Sequence, residues 1–204
     1  SYPITPSFNS LFEGLETDLS QLPIQELQQK RTDEQWIGLA PFAKHQGKVY
    51  PSELMIQVIE KIEKENRKLI LFGGGKEEID LFEEWKKIKP QLIIPARQLN
   101  LTQELVVMSQ LTCMVSMDSA NMHLASLVNT PVVSIWGATH PYCGFLGWQQ
   151  KESNMIQLDM PCRPCSVFGN KPCYRKDYAC LNDITPQEII NKVEELIKDE
   201  YSSL

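Results

Sequence analysis

The stretch from Cys113 to Trp148, CMVSMDSANMHLASLVNTPVVSIWGATHPYCGFLGW, decides the fold. Its apolar run 113–117 has the length of a buried strand and ends on Asp118-Ser119, where a helix can begin. Asn129-Thr130-Pro131 ends that helix, and a second apolar run, 132–136, leads into a polar break. This order predicts a βαβ unit with polar residues at the carboxyl ends of both strands. Ligands of open parallel sheets bind outside those ends, where helix N-termini attract anions, so the segment is predicted to form half of a site for a phosphate-bearing ligand.

The same alternation of apolar runs and helical patterns precedes this stretch. Strands are predicted over 36–42, 68–72 and 92–95, and helices over 52–66, 76–89 and 102–110. Beyond it, the sequence predicts an edge strand over 155–158 and a final helix over 186–199, capped by Thr185-Pro186-Gln187-Glu188. We therefore expect an α/β fold, with a Rossmann-like parallel sheet and helices on both faces.

The 204 residues are expected to divide unequally. Residues 36–204 are predicted to be one Rossmann-like domain, which includes a Cys-rich loop over 160–182. Residues 1–35 are polar and weakly patterned, and the chain begins without Met. We predict that they are a linker or the remnant of an upstream N-terminal domain.

Composition limits the classes of function. The apolar fraction of 42% and the charged fraction of 23% are ordinary for a globular protein. A net charge of −6 argues against nucleic acid as a partner, although a local basic pocket is compatible with this net charge. The sequence contains no apolar run of the length that spans a bilayer and opens without a leader pattern, so a cytoplasmic location is expected.

Two lysines follow the first predicted strand. Lys44 and Lys48, with His45 between them, lie in the loop after residues 36–42. An ammonium group there suits a diphosphate, whose negative charge grows as it becomes a leaving group. A solvated lysine pair explains the same spacing equally well.

Polar residues also follow the next two predicted strands. Asp118 ends a buried strand, where a carboxylate is costly unless it is paired, and it could also cap the following helix. His123 falls on the first turn of that helix, where a packed histidine is the more frequent role. Thr139 lies in the loop after 132–136, where local capping is an alternative to ligand binding. We expect Lys48 and Asp118 to emerge on one rim of the sheet and to enclose a ligand pocket.

Three consecutive glycines follow the predicted strand 68–72. Gly73, Gly74 and Gly75 remove every Cβ from this turn, which would let a ligand or another backbone approach closely. The triplet matches neither GxGxxG nor a Walker loop, so a tight turn between a strand and a helix is an equal alternative.

The Cys-rich loop offers a metal-binding hypothesis. Cys162-x-x-Cys165 has the spacing of a structural zinc pair, and Cys173 and Cys180 could complete a four-thiolate site. The second pair is spaced too widely for the usual knuckle, so reduced, unliganded thiols remain an alternative. The loop is also locally basic and could contact an anionic acceptor or a membrane surface; its basic residues are Arg163, Lys171, Arg175 and Lys176.

These motifs together resemble the donor-binding half of the family 9 glycosyltransferases, the ADP-heptose:lipopolysaccharide heptosyltransferases and their relatives. The resemblance rests on Asp118-Ser119 with His123-Leu124-Ala125, on Pro131-Val132-Val133, on Trp136-Gly137-Ala138-Thr139-x-Pro141 and on Lys48-x-Tyr50-Pro51. The chain has Ala120 where the family usually has glycine after the Asp-Ser/Thr pair. It also has Ala40-Pro41-Phe42 and Lys44 where the family usually has His-Pro-Gly and a small hydroxyl residue.

The resemblance implies the C-terminal half of a glycosyltransferase-B fold, which binds a nucleotide-diphosphate sugar such as ADP-heptose. Lys48 and Asp118 would be the catalytic residues, with Lys48 on the diphosphate and Asp118 on the donor sugar. Glu77 would lie near the ribose, beside the glycine turn. The other implied donor-binding residues are Lys44, Gly73, Gly74, Gly75, Ser119, Ala120, Asn121, His123 and Thr139.

The resulting hypothesis is a heptosyltransferase-like donor domain that is inactive without its N-terminal domain. Transfer to a saccharide or lipid-linked saccharide acceptor would need no cofactor, since no Asp-x-Asp pair is present to hold Mg²⁺. Peripheral contact with the inner face of the cytoplasmic membrane is compatible with such an acceptor. A nucleotide-sugar epimerase of the same fold and a non-catalytic nucleotide- or polyanion-binding module are the alternatives.

Overall fold

The computed structural model describes residues 18–202, with side chains through residue 198. Five strands form one parallel sheet: β1 (Gln35–Ala40), β2 (Arg67–Leu71), β3 (Cys113–Met117), β4 (Val132–Trp136) and β5 (Met155–Gln157). The helices are α1 (Ser52–Ile62), α2 (Lys76–Ile88), α3 (Leu101–Ser109), α4 (Ala120–Leu127), α5 (Ala179–Asn182) and α6 (Pro186–Ser202). The predicted α/β architecture is confirmed, while α5 lies within a segment predicted to be a loop.

The strands are all parallel, but the direction in which the chain adds strands to the sheet reverses in the middle of the sheet. The order is β2-β1-β3-β4-β5, so the chain builds outward from β1 to one side and from β3 to the other. The predicted strand 92–95 is reduced to a single bridge between Ile70 and Ile93, which lies beyond β2. When this segment is counted, the order is that of a Rossmann-like sheet. The gap between β1 and β3 is therefore the topological switch point, where such sheets bind ligands.

The sheet is buried on both faces because its strands alternate their side chains between two apolar clusters. In β1, Ile37 and Leu39 pack in one cluster with residues of α1, α2 and α6. Trp36 and Ala40 pack in the other, with residues of α3 and α4. The near-continuous apolar strands are typical of a parallel sheet covered on both sides.

The domain begins before residue 36. Leu22, Ile24 and Leu27 are buried, and they belong to the same cluster as Trp36. This part of the predicted linker is thus integral to the domain, because its apolar side chains complete the core. The remainder of that prediction, residues 1–17, lies outside the described residues.

The final helix is fixed to the rest of the domain at both ends of the sheet. The Tyr50 hydroxyl donates a hydrogen bond to the Ile184 carbonyl, with an O···O distance of 2.7 Å, just before α6. Farther along α6, Glu194 accepts bonds of 2.8 and 2.9 Å from the buried Arg67 guanidinium. Hydrogen bonds from Arg67 and Lys64 lower the pKa of Glu194 to about 2. None of the helices in the described range is long and apolar enough to cross a bilayer.

Candidate functional site

Three neighbouring strands each deliver one side chain to the carboxyl edge of the sheet. Lys48 lies in the turn after β1, Asp118 follows β3, and Thr139 follows β4. Lys48 Nζ lies 3.0 Å from Asp118 Oδ2, and Thr139 Oγ1 donates a 2.7 Å hydrogen bond to the same oxygen. The predicted proximity of Lys48 and Asp118 on one rim is confirmed, and the pair lies at the switch point.

The side chains of Lys48 and Asp118 are in direct contact, so a ligand would lie beside the pair and not between the two side chains; the enclosed pocket stays a prediction. The two side chains are only 16% and 5% exposed, so each charge requires the other for compensation. Both contacts to Asp118 use Oδ2, and no hydrogen bond from the described residues reaches Oδ1. Asp118 therefore keeps one carboxylate oxygen able to accept a hydrogen bond from a ligand.

The start of α4 lies directly beside this ion pair. Ser119 occupies the N-cap position, but its side chain makes no capping hydrogen bond and instead lies 3.4 Å from the Ser116 hydroxyl. No side chain therefore shields the first N–H groups of α4, which carry the positive end of the helix dipole. Ala120 and His123 are exposed and Asn121 is half-buried on this turn, so His123 is not a core residue.

The glycine turn follows β2, one strand beyond Lys48. Glu78 Oε2 accepts hydrogen bonds of 2.8 and 3.1 Å from the N–H groups of Gly74 and Gly75, which closes the turn onto α2. A Cβ on Gly73 would lie 2.9 Å from Glu78 Oε2 and 3.0 Å from Phe82, so a larger residue there would have to displace both side chains. The role of a tight turn between a strand and a helix therefore accounts for the glycines. Glu77, the predicted ribose ligand, is exposed at the start of α2.

Lys44 is exposed and does not join the Lys48–Asp118 pair. His45 is half-buried at the next position, and the structure places it at a small cavity on the far side of the turn. Of the two lysines predicted to bind the diphosphate, only Lys48 thus forms an ion pair with Asp118.

The sequence did not reveal how the Cys-rich loop supports the site. Arg163 is not a surface cation of this loop: it donates hydrogen bonds to the carbonyls of Gly137, Leu158 and Thr139 and to the Gln157 side chain. Burial lowers the pKa of its guanidinium. No periodic pattern marks this role, since the contacted groups are backbone carbonyls.

At Gly169 the Cys-rich loop packs against Lys48 and Thr139. Its φ is +69°, and a Cβ there would lie 2.7 Å from the Lys48 side-chain carbons and 3.1 Å from Thr139 Cγ2. The loop therefore covers the stem of Lys48 at a position where only glycine combines this conformation with this approach. An isolated glycine between cysteines was the only sequence signal for it.

The four cysteines of the loop lie within electrostatic range of one another. Burial raises the pKa of Cys180 to about 11, and the pKa of Cys165 is raised by burial and then by the neighbouring Cys162 and Cys173. Within residues 18–198, however, no group of three or more potential ligands is arranged to hold a metal ion. The zinc site stays a prediction that this geometry does not support.

A second cavity, of about 470 Å³, opens at the opposite edge of the sheet. Residues that precede strands, such as Thr112, Pro131 and Asn154, line it together with Trp148. It is therefore separated from the Lys48–Asp118 pair by the length of the strands.

Comparisons with known proteins point to one family. The family model for glycosyltransferase family 9 (heptosyltransferase) matches residues 9–174. Lipooligosaccharide heptosyltransferase 2 of Campylobacter jejuni is 27% identical over 137 residues, which are 65% of this chain and 42% of that protein.

Solved structures share the fold. The Escherichia coli ADP-heptose lipopolysaccharide heptosyltransferase II has a TM-score of 0.65 at 21% identity, over 84% of this chain and 49% of that one. The E. coli heptosyltransferase WaaC with ADP has a TM-score of 0.61 at 18% identity, over 88% of this chain and 47% of that one. The chain thus spans about half the length of these relatives. Because the family model covers most of its residues, this chain belongs to glycosyltransferase family 9.

Proposed function

We propose that this chain is the donor-binding domain of a heptosyltransferase-like enzyme. It would bind a nucleotide-diphosphate sugar, ADP-heptose or a close analogue, for transfer to a saccharide of lipopolysaccharide or another surface glycan. The observation that carries this proposal is the Lys48–Asp118–Thr139 contact at the switch point, beside the uncapped start of α4. The names of the similar proteins support ADP-heptose as the donor.

The geometry supports a division of roles along the rim. The first N–H groups of α4 and the Lys48 ammonium would hold the diphosphate and stabilise the charge that develops as it departs. Asp118 Oδ1 would accept a hydrogen bond from a hydroxyl of the donor sugar. The nucleoside would lie towards the glycine turn and Glu77, one strand away. The base that activates the acceptor would come from a further domain, so the chain alone would bind donor without turnover.

In this proposal, transfer needs no cofactor, because an ammonium and a helix N-terminus supply the positive charge that a divalent ion would otherwise provide. A structural zinc on Cys162, Cys165, Cys173 and Cys180 would stabilise the loop and would take no part in the transfer reaction. Metal analysis of the purified chain tests it: one zinc per chain, lost in Cys165→Ser, is the result expected for such a site, and metal-free folded protein refutes it.

The acceptor is proposed to be lipid-linked, which would place the enzyme in the cytoplasm at the inner face of the membrane. The Cys-rich loop supports membrane contact, since Phe168 is 61% and Tyr174 87% exposed in the segment that carries the exposed Lys171. Aromatic and basic side chains together favour an anionic lipid surface. Co-sedimentation with anionic but not zwitterionic vesicles, reduced in the double variant Phe168→Ser/Tyr174→Ser, is the expected result.

Calorimetry with ADP, UDP and GDP tests the donor site. We expect the chain to bind ADP with at least millimolar affinity, and Lys48→Ala to weaken binding at least tenfold by removing a charge-assisted contact to the diphosphate. Lys176→Ala, which removes an exposed lysine of the Cys-rich loop, is the matched control and should bind as the parent does. Absence of nucleotide binding by the folded parent chain would refute the proposal.

A further inference from the structure

The cavity of about 470 Å³ at the amino ends of the strands has a volume within the range of small-molecule sites, about 300–1,000 Å³. Its lining comes mainly from the residues just before β3 and β4 and from the loop between β4 and β5. We call it the amino-edge cavity. The proposed donor site lies at the other ends of the same strands.

Two buried polar side chains of the amino-edge cavity have unused hydrogen-bonding groups. Thr112 and Asn154 line the cavity and are only 4% and 5% exposed. Within residues 18–198, the Thr112 hydroxyl and the Asn154 amide nitrogen make no hydrogen bond, and the Asn154 oxygen accepts one weak bond of 3.4 Å from Ser153. Neither group is among the fully enclosed polar atoms of this range that lack a partner, where Ser166 Oγ is the single case. Both groups are therefore open to the cavity and able to bond a ligand.

The loop that carries Trp148 is fixed in place beside these groups. The Gln150 side chain accepts a 2.8 Å bond from the Val132 N–H and donates a 2.9 Å bond to the Thr130 carbonyl, which ties the loop to the start of β4. Gln149 has a φ of +57°, a left-handed conformation that persists only where surrounding contacts hold it and that recurs at ligand sites. Trp148 lines the cavity and is 53% exposed. The cavity thus presents a preorganised aromatic surface.

The lining of the amino-edge cavity suits an uncharged ligand rich in hydroxyl groups. None of the described residues that line it carries a carboxylate, and its one charged side chain, Lys151, is exposed. The other polar groups are side-chain amides and hydroxyls, which together donate and accept hydrogen bonds. The hydroxyls of a sugar also donate and accept, and the C–H face of a sugar ring can pack on the electron-rich face of an indole. These properties match a neutral saccharide.

We propose that the amino-edge cavity binds a neutral saccharide at a second site, separate from the site of the transfer reaction. One sugar ring would pack on Trp148, and its hydroxyls would bond Thr112 and the Asn154 amide. The site would hold the domain to a glycan without taking part in transfer, because the length of the strands separates it from Asp118. This inference goes beyond the proposed function and does not depend on it.

Amide NMR titrations of the chain with the methyl α-glycosides of glucose, galactose and mannose test this proposal. At least one glycoside should saturably shift the amide signals of Thr112 and Asn154 and the indole N–H signal of Trp148, with and without saturating ADP. Thr112→Val removes one hydroxyl and should weaken binding about fivefold, the loss of one neutral hydrogen bond. Thr102→Val, the same change at an exposed position of α3, is the matched control and should bind as the parent does. Trp148→Ala, a change at the surface, should weaken binding at least as much as Thr112→Val.

Four results would overturn the proposal. The absence of a saturable shift at Thr112 and Asn154 with any glycoside would show that the cavity binds no sugar. Equal binding by Thr112→Val and Thr102→Val would show that the buried hydroxyl contacts no ligand. Tighter binding of adenosine than of the glycosides at these signals would assign the cavity to a nucleoside, and displacement of the sugar by ADP would assign it to the donor. Loss of ADP binding with intact glycoside binding would instead refute the proposed function alone.

Discussion

Lys48 and Asp118 are 70 positions apart in the sequence, yet Lys48 Nζ lies 3.0 Å from Asp118 Oδ2. The parallel pairing of β1 with β3 creates this contact, because it brings the carboxyl ends of both strands to one edge. Thr139, after β4, donates to the same carboxylate oxygen. The rim thus combines a compensated charge pair with a free acceptor, Asp118 Oδ1.

Removal of one partner of the pair should cost more than removal of both. Lys48→Met leaves the Asp118 carboxylate buried without its cation, and we expect a loss of about 3 kcal/mol in the free energy of unfolding, near the lower end for buried pairs because Lys48 keeps some exposure. The double variant Lys48→Met/Asp118→Asn should recover more than half of that loss. Urea unfolding of the parent, Lys48→Met, Asp118→Asn and the double variant measures the coupling, and additive effects would show that the two side chains do not stabilise each other.

Gly169→Ala should displace Lys48, because the added Cβ would overlap its side-chain carbons at 2.7 Å. Gly144→Ala is the matched control: Gly144 has a φ of +84°, but a Cβ there meets nothing within 4 Å. Gly144→Ala should therefore cost only the conformational strain, about 1 kcal/mol. Gly169→Ala should cost more in thermal unfolding and should also weaken ADP binding. Equal behaviour of the two variants would show that the loop does not support Lys48.

Arg163→Ala should loosen the Cys-rich loop from the site. The guanidinium is the common donor to the Gly137 and Thr139 carbonyls, so its loss leaves buried acceptors without partners. We expect unfolding to be easier by about 2 kcal/mol or more, and proteolysis within residues 160–182 to be faster. Arg163→Lys should recover only part of the lost stability, because a lysine ammonium cannot reproduce the planar, forked hydrogen bonding of the guanidinium. Full recovery by lysine would show that charge alone holds the loop.

Acid should destabilise the fold in a defined pH range through Glu194. Its pKa is lowered to about 2, so its stabilising contribution is complete above the ordinary glutamate pKa of about 4.3 and is lost as the pH falls towards 2. The loss should be at most about 3 kcal/mol, less solvent screening. Glu194→Gln should flatten the decline between pH 5 and 2, whereas Glu195→Gln, which removes an exposed carboxylate paired with Lys192, should not. Unfolding curves that decline identically in both variants would contradict this assignment.

Local sequence patterns were sufficient for the five strands of the sheet and for most helices. The apolar runs of β3 and β4 have the predicted bounds, because each ends at a residue that is unfavourable in strands, Asp118 after β3 and Gly137 after β4. The segment 92–95 looked equally apolar, but it forms only the Ile70–Ile93 bridge, since it lies at the edge of the sheet beyond β2. Whether a short run becomes a strand there depends on tertiary pairing, which periodicity does not encode.

The site was predictable where strand ends supply it and unpredictable where a loop supports it. Lys48 and Asp118 follow buried strands, so sheet topology alone brings them together. Arg163 and Gly169 come from a segment without regular structure, and they act through backbone carbonyls and a close approach. For the glycine turn the sequence left two alternatives open, and the hydrogen bonds from Gly74 and Gly75 to Glu78 are those of a tight turn between a strand and a helix.

The most direct test of the central claim, a diphosphate site at the start of α4, compares amide NMR spectra of the chain with ADP and with adenosine. ADP should shift the signals of Ala120 and Asn121 strongly, and adenosine should leave them nearly unchanged, because only the diphosphate would contact these N–H groups. Shifts that instead cluster at Thr112 and Asn154, around the cavity at the opposite edge of the sheet, would contradict the account.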